Sequence, residues 1–364
     1  MKMRIFRTVV QVLAIVSITL AGLELALHLT YFRYLEEPPI ETPPDYYVED
    51  EALGIDQAPG FPKATFRFRG PAFEIFNNSL GCFDREREVR PGYVLVVGDS
   101  FTWGYAPLEA MWTTLLEQTL GGQFVKCGVS GTGTRYQLGK ARKVIERIGF
   151  PPAAIIVLHY DNDMNDDAVF PGDTVVDGQR VERLCALNIE TGELTWCDTE
   201  QLAARRSAND TWIRKHTQRL FLLERVFRHF RGGAAGEGPR AALEVSPVIH
   251  RRYFVSLLGL DPETYPAIRP LFEKHLDSIV EFRRYAEGIG SRLIVFDMLN
   301  GNGPLRDEFR SRAASIVEYN YSLDQALDDP DSLAYPFNPH WTPRGNAIVA
   351  GKMANYLEEN GVLD

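Results

Sequence analysis

Residues Val94–Tyr105 read VLVVGDSFTWGY, and the fold follows from them. Four apolar residues, three of them valine, run straight into Gly98-Asp99-Ser100. A short unbroken β-branched run suits a strand buried on both faces of a parallel sheet. The glycine permits a sharp turn that delivers a serine to the carboxyl edge of that sheet, where open α/β sheets bind ligands. Downstream, Pro107–Leu120 spaces Leu108, Met111, Leu115 and Leu116 as a helix. Ser100 is therefore expected in a strand-to-helix turn, where backbone N–H groups and the helix dipole favour a developing anion. Taken by itself, Gly-Asp-Ser is equally ordinary turn chemistry, so the rest of the chain has to decide.

Moving outward, strand and helix alternate. Gln123–Cys127 reads as a second strand ending in a glycine-rich turn, Gly128–Thr134, and a helix follows over Tyr136–Ile148. Ala153–His159 is a third buried strand, ending in Tyr160-Asp161-Asn162-Asp163, and Arg292–Met298 is a fourth. Helical spacing recurs over Ala203–Phe230, Asp261–Gly288 and Arg306–Leu327, with Arg231–Pro247 reading as a mobile loop. Thr342 and Pro343 make an N-cap and first-turn pair for a last helix that runs to Asn360-Gly361, so His340 falls in the loop just ahead of it. This alternation predicts an α/β fold: a three-layer α/β/α sandwich around a flavodoxin-like, doubly wound parallel sheet.

Two stretches break the pattern. Thr65–Phe76 partly alternates and reads as a short hairpin. Asp173–Asp198 looks like β-hairpin material inserted after the third strand, with the insertion at about 168–200. Cys185 and Cys197 lie symmetrically about Thr191 in a Glu190-Thr191-Gly192 turn, which suggests a disulfide across the hairpin in an exported protein. Cys82 and Cys127 either form a second disulfide or stay as small buried apolar residues. None of the four cysteines has zinc-site spacing.

The amino terminus carries Lys2, Arg4 and Arg7 ahead of an apolar run that continues over Val9–Thr30, interrupted by Glu24. About 20 such residues cross a bilayer, and basic residues before the run with Glu36 and Glu37 after it place the amino terminus inside. Residues 1–35 are expected to be a membrane anchor, or else a signal peptide, with the body outside the cytoplasm. The Pro- and acid-rich residues 36–62 read as a semi-rigid spacer, leaving 63–364 as the folded domain. In 364 residues, 45% hydrophobic content and 11% aromatics are globular values, and a net charge of −10 argues against nucleic acid as a partner.

Taken in order, the strand ends supply Ser100, Gly131 and Asn162, and then comes the late His340. With GDSFTWG at 98–104, GVSGTGTRYQ at 128–137, NDMNDD at 162–167 and PHWTPRGN at 339–346, the chain resembles the SGNH/GDSL hydrolases. DEALG at 50–54 through NSLG at 78–81 resembles the lead-in of their membrane-anchored bacterial branch. The resemblance implies an esterase or acyltransferase that uses neither cofactor nor metal. Ser100 would be its nucleophile and His340 the base, with the N–H groups of Ser100 and Gly131 and the Asn162 amide as the oxyanion hole. Export suggests an extracytoplasmic partner such as an O-acylated polysaccharide.

The family's aspartate ahead of the histidine is missing. Asn338 and Phe337 stand there. Asn338 can orient the histidine but cannot stabilise an imidazolium by charge. Asp328, Asp329 and Asp331 are the nearest acids, and an inactive, glycan-binding envelope component is the alternative reading. His159 is expected to pack rather than react. Asp161, Asp163, Asn165, Asp166 and Asp167 superficially suggest a calcium loop, but the EF-hand glycine and terminal glutamate are absent, and a solvated loop is expected.

Overall fold

The computed structural model describes residues 2–30, 42–67, 72–209, 248–249, 255–299, 301–327, 330–335 and 338–363. Its centre is a parallel sheet of β5 (Val94–Gly98), β6 (Phe124–Lys126), β7 (Ala154–Tyr160), β13 (Arg292–Met298) and β14 (Tyr319–Ser322), in the spatial order β14-β13-β7-β5-β6. Renumbered along the chain, that order is the flavodoxin-like 2-1-3-4-5, with the switch point between β5 and β7.

The pleat sorts the valines. Leu95 and Val97 face one side with Val144, Ile155, Val157, Phe272, Ile279 and Phe309. Those partners come from α4 (Thr134–Ile148), α7 (Ile268–Gly288), α8 (Pro304–Ile316) and β7. Val94 and Val96 face the other side with Trp112, Leu116, Val349, Met353 and Leu357, from α3 (Trp112–Leu120) and α10 (Pro343–Glu359). Every residue of β5 is buried, as a strand covered on both faces requires. The expected three layers are thus present, and Thr342 caps α10 as expected, accepting a hydrogen bond from the Gly345 N–H at 3.1 Å.

Several expectations need correction. The helix after the first strand does not begin at Pro107. Ser100–Trp103 form a separate single turn, α2, and α3 begins only at Trp112. A single turn carries little macrodipole, so charge stabilisation at Ser100 rests on individual donors. Arg306–Leu327 is mostly helix, as expected, but Tyr319–Ser322 within it form the edge strand β14, half-buried throughout and therefore lacking an apolar run. A one-turn helix, α9 (Leu323–Ala326), follows it.

The spacer expected over 36–62 does not reach Pro62. β1 (Tyr47–Asp50) and β2 (Gly54–Gln57) form a hairpin whose aromatic flank is core. Tyr46 is fully buried, and its hydroxyl accepts the Trp103 indole N–H at 2.8 Å. The hairpin expected at Thr65–Phe76 is β3 (Ala64–Phe66) with β4 (Phe73–Ile75).

The insertion holds two hairpins rather than one. β8 (Asp173–Val176) pairs with β9 (Gln179–Glu182), and β10 (Leu184–Asn188) pairs with β11 (Leu194–Trp196) and with β12 (Val248–Ile249). Helix α6 (Thr199–Asn209) follows β11. Both disulfides are formed, Cys185–Cys197 with Cα atoms 4.9 Å apart and Cys82–Cys127 at 4.6 Å. The rest of the helix expected over Ala203–Phe230 and the loop 231–247 lie outside the described residues.

At the amino terminus, α1 (Lys2–Thr30) is a 29-residue helix. Among the described residues no helix is long and apolar enough to cross a membrane, so the fold does not establish the expected spanning segment. The side chains of Val9, Val10 and Leu13 lie outside those residues.

Candidate active site

Ser100 is placed by three local facts. Gly98 ends β5 where a Cβ would sit 2.1 Å from Thr102 Oγ1 and 3.0 Å from the Leu158 carbonyl, so only glycine lets α2 fold back on the sheet. Asp99 caps α2, its carboxylate accepting the Phe101 N–H at 2.8 Å. Ser100 is then the first residue of the turn, half-buried at the carboxyl edge. Its hydroxyl donates to Asp99 Oδ2 at 3.1 Å and not to His340.

His340 lies on β16 (Asn338–Trp341), which pairs with β15 (Ala334–Tyr335), and so sits in a short strand rather than a plain loop. Its ring is stacked on Tyr105, with centroids 3.8 Å apart, and packs against Phe101 at 4.7 Å. Because Phe101 lies within the serine turn and Tyr105 just beyond it, these contacts set His340 against that turn. Tyr160, from the end of β7, closes the other side of Phe101 at 4.2 Å. Burial pushes the imidazole down to about 3, so it is neutral and proton-accepting at neutral pH. The Asn338 side chain and those of Asp328, Asp329 and Asp331 lie outside the described residues.

Gly131 takes a left-handed backbone, φ +65°, in the turn between β6 and α4. Among the described residues its N–H is not given to a backbone carbonyl. Asn162 follows β7 on the other side of the switch point. Its amide donates from Nδ2 to Asp166 Oδ2 at 2.9 Å, which fixes the amide plane and leaves a second N–H. All four residues expected at the site thus lie at one edge of the sheet.

The acidic stretch behind them is not the solvated loop expected. It is the short helix α5 (Asp163–Ala168), with every residue buried. Asp161 makes a two-pronged pair with Arg306, at 2.7 and 2.8 Å. Asp167 accepts from Ser278 at 2.8 Å and sits 2.7 Å from His275 Nδ1. His275 Nε2 in turn meets His159 Nε2 at 2.9 Å, which gives His159 a packed role. Among the described residues no cluster of His, Cys, Asp or Glu could hold a metal ion.

The Asp163 carboxyl is held well above the usual range by burial and then by Asp99, Asp166 and Asp167. Asp99 is pushed up to about 7, again by burial first, against the lowering hydrogen bond from the Phe101 N–H. The same carboxyl holds the Ser100 hydroxyl.

Sequence reasoning missed two contributors. Tyr105 stacks on His340 and also meets Ser130 Oγ at 3.3 Å, tying the imidazole to the glycine turn. Arg180, from β9, donates to the carbonyls of Ser130 and of Gly131 (2.6 Å). The Asp177-Gly178 pair between alternating residues signals the β8–β9 hairpin, but nothing in the sequence marks its arginine.

No protein-family model and no curated protein matches the chain. Among solved structures it is similar to a G-D-S-L family protein from Desulfitobacterium hafniense DCB-2, at 14% identity over 73% of this chain and 99% of that one, with a TM-score of 0.39. It is also similar to the psychrotrophic esterase EstA from Pseudoalteromonas sp., at 10% identity over 74% and 97% with a TM-score of 0.38. A third is the acetyl xylan esterase Est2A from the rumen bacterium Butyrivibrio proteoclasticus, at 13% identity over 77% and 67% with a TM-score of 0.34.

Proposed function

We propose that this protein cleaves or transfers an ester-linked acyl group through Ser100. The observation that carries the reading is the placement of Ser100, Gly131, Asn162 and His340 around the β5/β7 switch point. Ser100 Oγ turns from Asp99 to His340 Nε2, loses its proton there and attacks the acyl carbon. The Gly131 N–H, the Ser100 N–H and the free N–H of Asn162 receive the tetrahedral oxyanion. The proton held on His340 then passes to the departing alcohol, and water or a second alcohol takes the acyl group by the reverse path.

Export supports an envelope substrate, an O-acylated glycan. Two disulfides fit an oxidising compartment. Ile15, Ile18 and Leu25 of α1 are 64%, 72% and 61% exposed, which suits a lipid-facing helix with its basic end inside. Acetate release from an acetylated polysaccharide tests the substrate. Release by wild type that falls to background in His340→Ala is the expected result, and equal release by both would overturn it.

A second reading, a non-catalytic envelope component, is favoured by one observation: the Ser100 hydroxyl is bound to Asp99. Asn338→Asp separates the two. On the catalytic reading a carboxylate at 338 stabilises the imidazolium, raising turnover at least about tenfold. It also lifts the acid limb of kcat/KM. Activity needs the neutral imidazole, so with the pKa at about 3 activity persists to low pH. In the variant it fades at a higher pH. Turnover and pH profile unchanged from a background wild type would favour the non-catalytic component.

A further inference from the structure

We propose that Arg180 is a positioning residue that aims and polarises the Gly131 N–H, so that the β8–β9 hairpin completes the oxyanion hole. This rests on the ester-cleavage reading. The argument begins with the peptide plane. The Ser130 carbonyl and the Gly131 N–H belong to one trans peptide and point in opposite directions across it. Whatever holds that carbonyl therefore aims the N–H. Arg180 Nη1 donates to the Ser130 carbonyl, and Nη2 donates to the next carbonyl, Gly131, at 2.6 Å. Both carbonyls therefore face the guanidinium, about a Gly131 whose φ is +65°. The N–H between them is left facing away from Arg180.

The guanidinium is itself fixed. Its Nε donates to Asp173 Oδ2 at 3.0 Å, its Nη2 reaches the same oxygen, and its plane lies over the Tyr47 ring with the central carbon 5.3 Å from the centroid. The ion pair is largely buried, with side-chain exposures of 16% and 6%. A planar fork is what two adjacent carbonyls require, and a lysine ammonium has no such shape. A cationic donor on a carbonyl also draws electron density through the peptide and strengthens the N–H as a donor. When the oxyanion forms, the dipole it meets is already oriented, which is the condition for electrostatic stabilisation without reorganisation.

The hairpin, inserted into the sheet framework after β7, is thus part of the catalytic device.

The test uses the full-length protein with a soluble acetyl ester. In Arg180→Ala, kcat is expected to fall about tenfold or more, the scale of a weakened oxyanion donor, with KM little changed. Millimolar guanidinium restores part of the loss in Arg180→Ala and leaves wild type unaffected. Arg180→Lys, the gentler change should alanine not fold, loses kcat in the same way because an ammonium cannot hold both carbonyls. Wild-type kcat in either variant, or a loss in Arg180→Ala that guanidinium leaves untouched, would overturn the proposal. A wild-type protein with no turnover and no reactive Ser100 would instead overturn the ester-cleavage reading beneath it.

Discussion

Ser100→Ala is expected to cut ester hydrolysis by at least about 10²-fold and by as much as about 10⁶-fold. The range has a physical origin. In serine hydrolases the nucleophile, base and acid act as a unit, so removing the serine from a full set costs about 10⁶, while removing the acid alone costs about 10⁴. A site with asparagine where the acid stands starts lower and has about 10² left to lose. Ser100→Ala in an Asn338→Asp background should then show the larger loss. On the ester-cleavage reading Ser100 and His340 share one proton-coupled step, so the double variant Ser100→Ala/His340→Ala should be no slower than either single one. Initial rates on a simple acetyl ester check each statement, and losses that multiply in the double variant would mean the two residues act separately.

Arg306→Met is expected to destabilise the protein by roughly 3–5 kcal/mol, the usual result of stripping one partner from a buried pair. Arg306 reaches Asp161 through Nε at 2.7 Å and Nη2 at 2.8 Å, and the two side chains are only 7% and 4% exposed. Without the guanidinium, a carboxylate remains in the interior between β7 and α8. The cost is the stranded charge and not the worth of the pair, so Arg306→Met combined with Asp161→Leu should recover much of the stability. Urea unfolding at neutral pH measures this, and a loss under about 1 kcal/mol in the single variant would contradict it. The pair also anchors the residue before Asn162, so it connects stability to the oxyanion side of the site.

The legibility of the chain followed burial. Strands hidden on both faces announce themselves as apolar runs, and β5, β7 and β13 lie within a residue of where Val94–Gly98, Ala153–His159 and Arg292–Met298 place them. The edge strand β14 reads Tyr-Asn-Tyr-Ser and carries no such run, so it passed for helix. The prolines at 38–44 fit a spacer, but Tyr46 and Tyr47 are core because the Trp103 indole needs a partner and Arg180 needs a ring to lie on. The acids of α5 look like a solvated loop to any reading that assumes exposed charge. Asp163 is held by Gln137, Asp167 by His275 and Ser278, and the neighbouring Asp161 by Arg306, all more than 20 residues away and on other elements. At the candidate site, residue types at strand ends singled out Ser100, Gly131 and Asn162, with His340 later in the chain, and the fold places the first three after β5, β6 and β7. The contacts that orient them, from Tyr105 and Arg180, arise only once an inserted hairpin and a one-turn helix are folded against the glycine turn.

The most direct test of the central claim is covalent capture of the nucleophile. A fluorophosphonate takes the serine oxygen at phosphorus, leaves a stable tetrahedral adduct in the oxyanion hole, and needs an activated serine to do so. After reaction and proteolysis, mass spectrometry should find a single modified peptide carrying the adduct on Ser100, absent from Ser100→Ala and strongly reduced in His340→Ala. A wild-type protein that takes no label, or a Ser100→Ala variant labelled as fully as wild type, would contradict the assignment of Ser100 as the nucleophile.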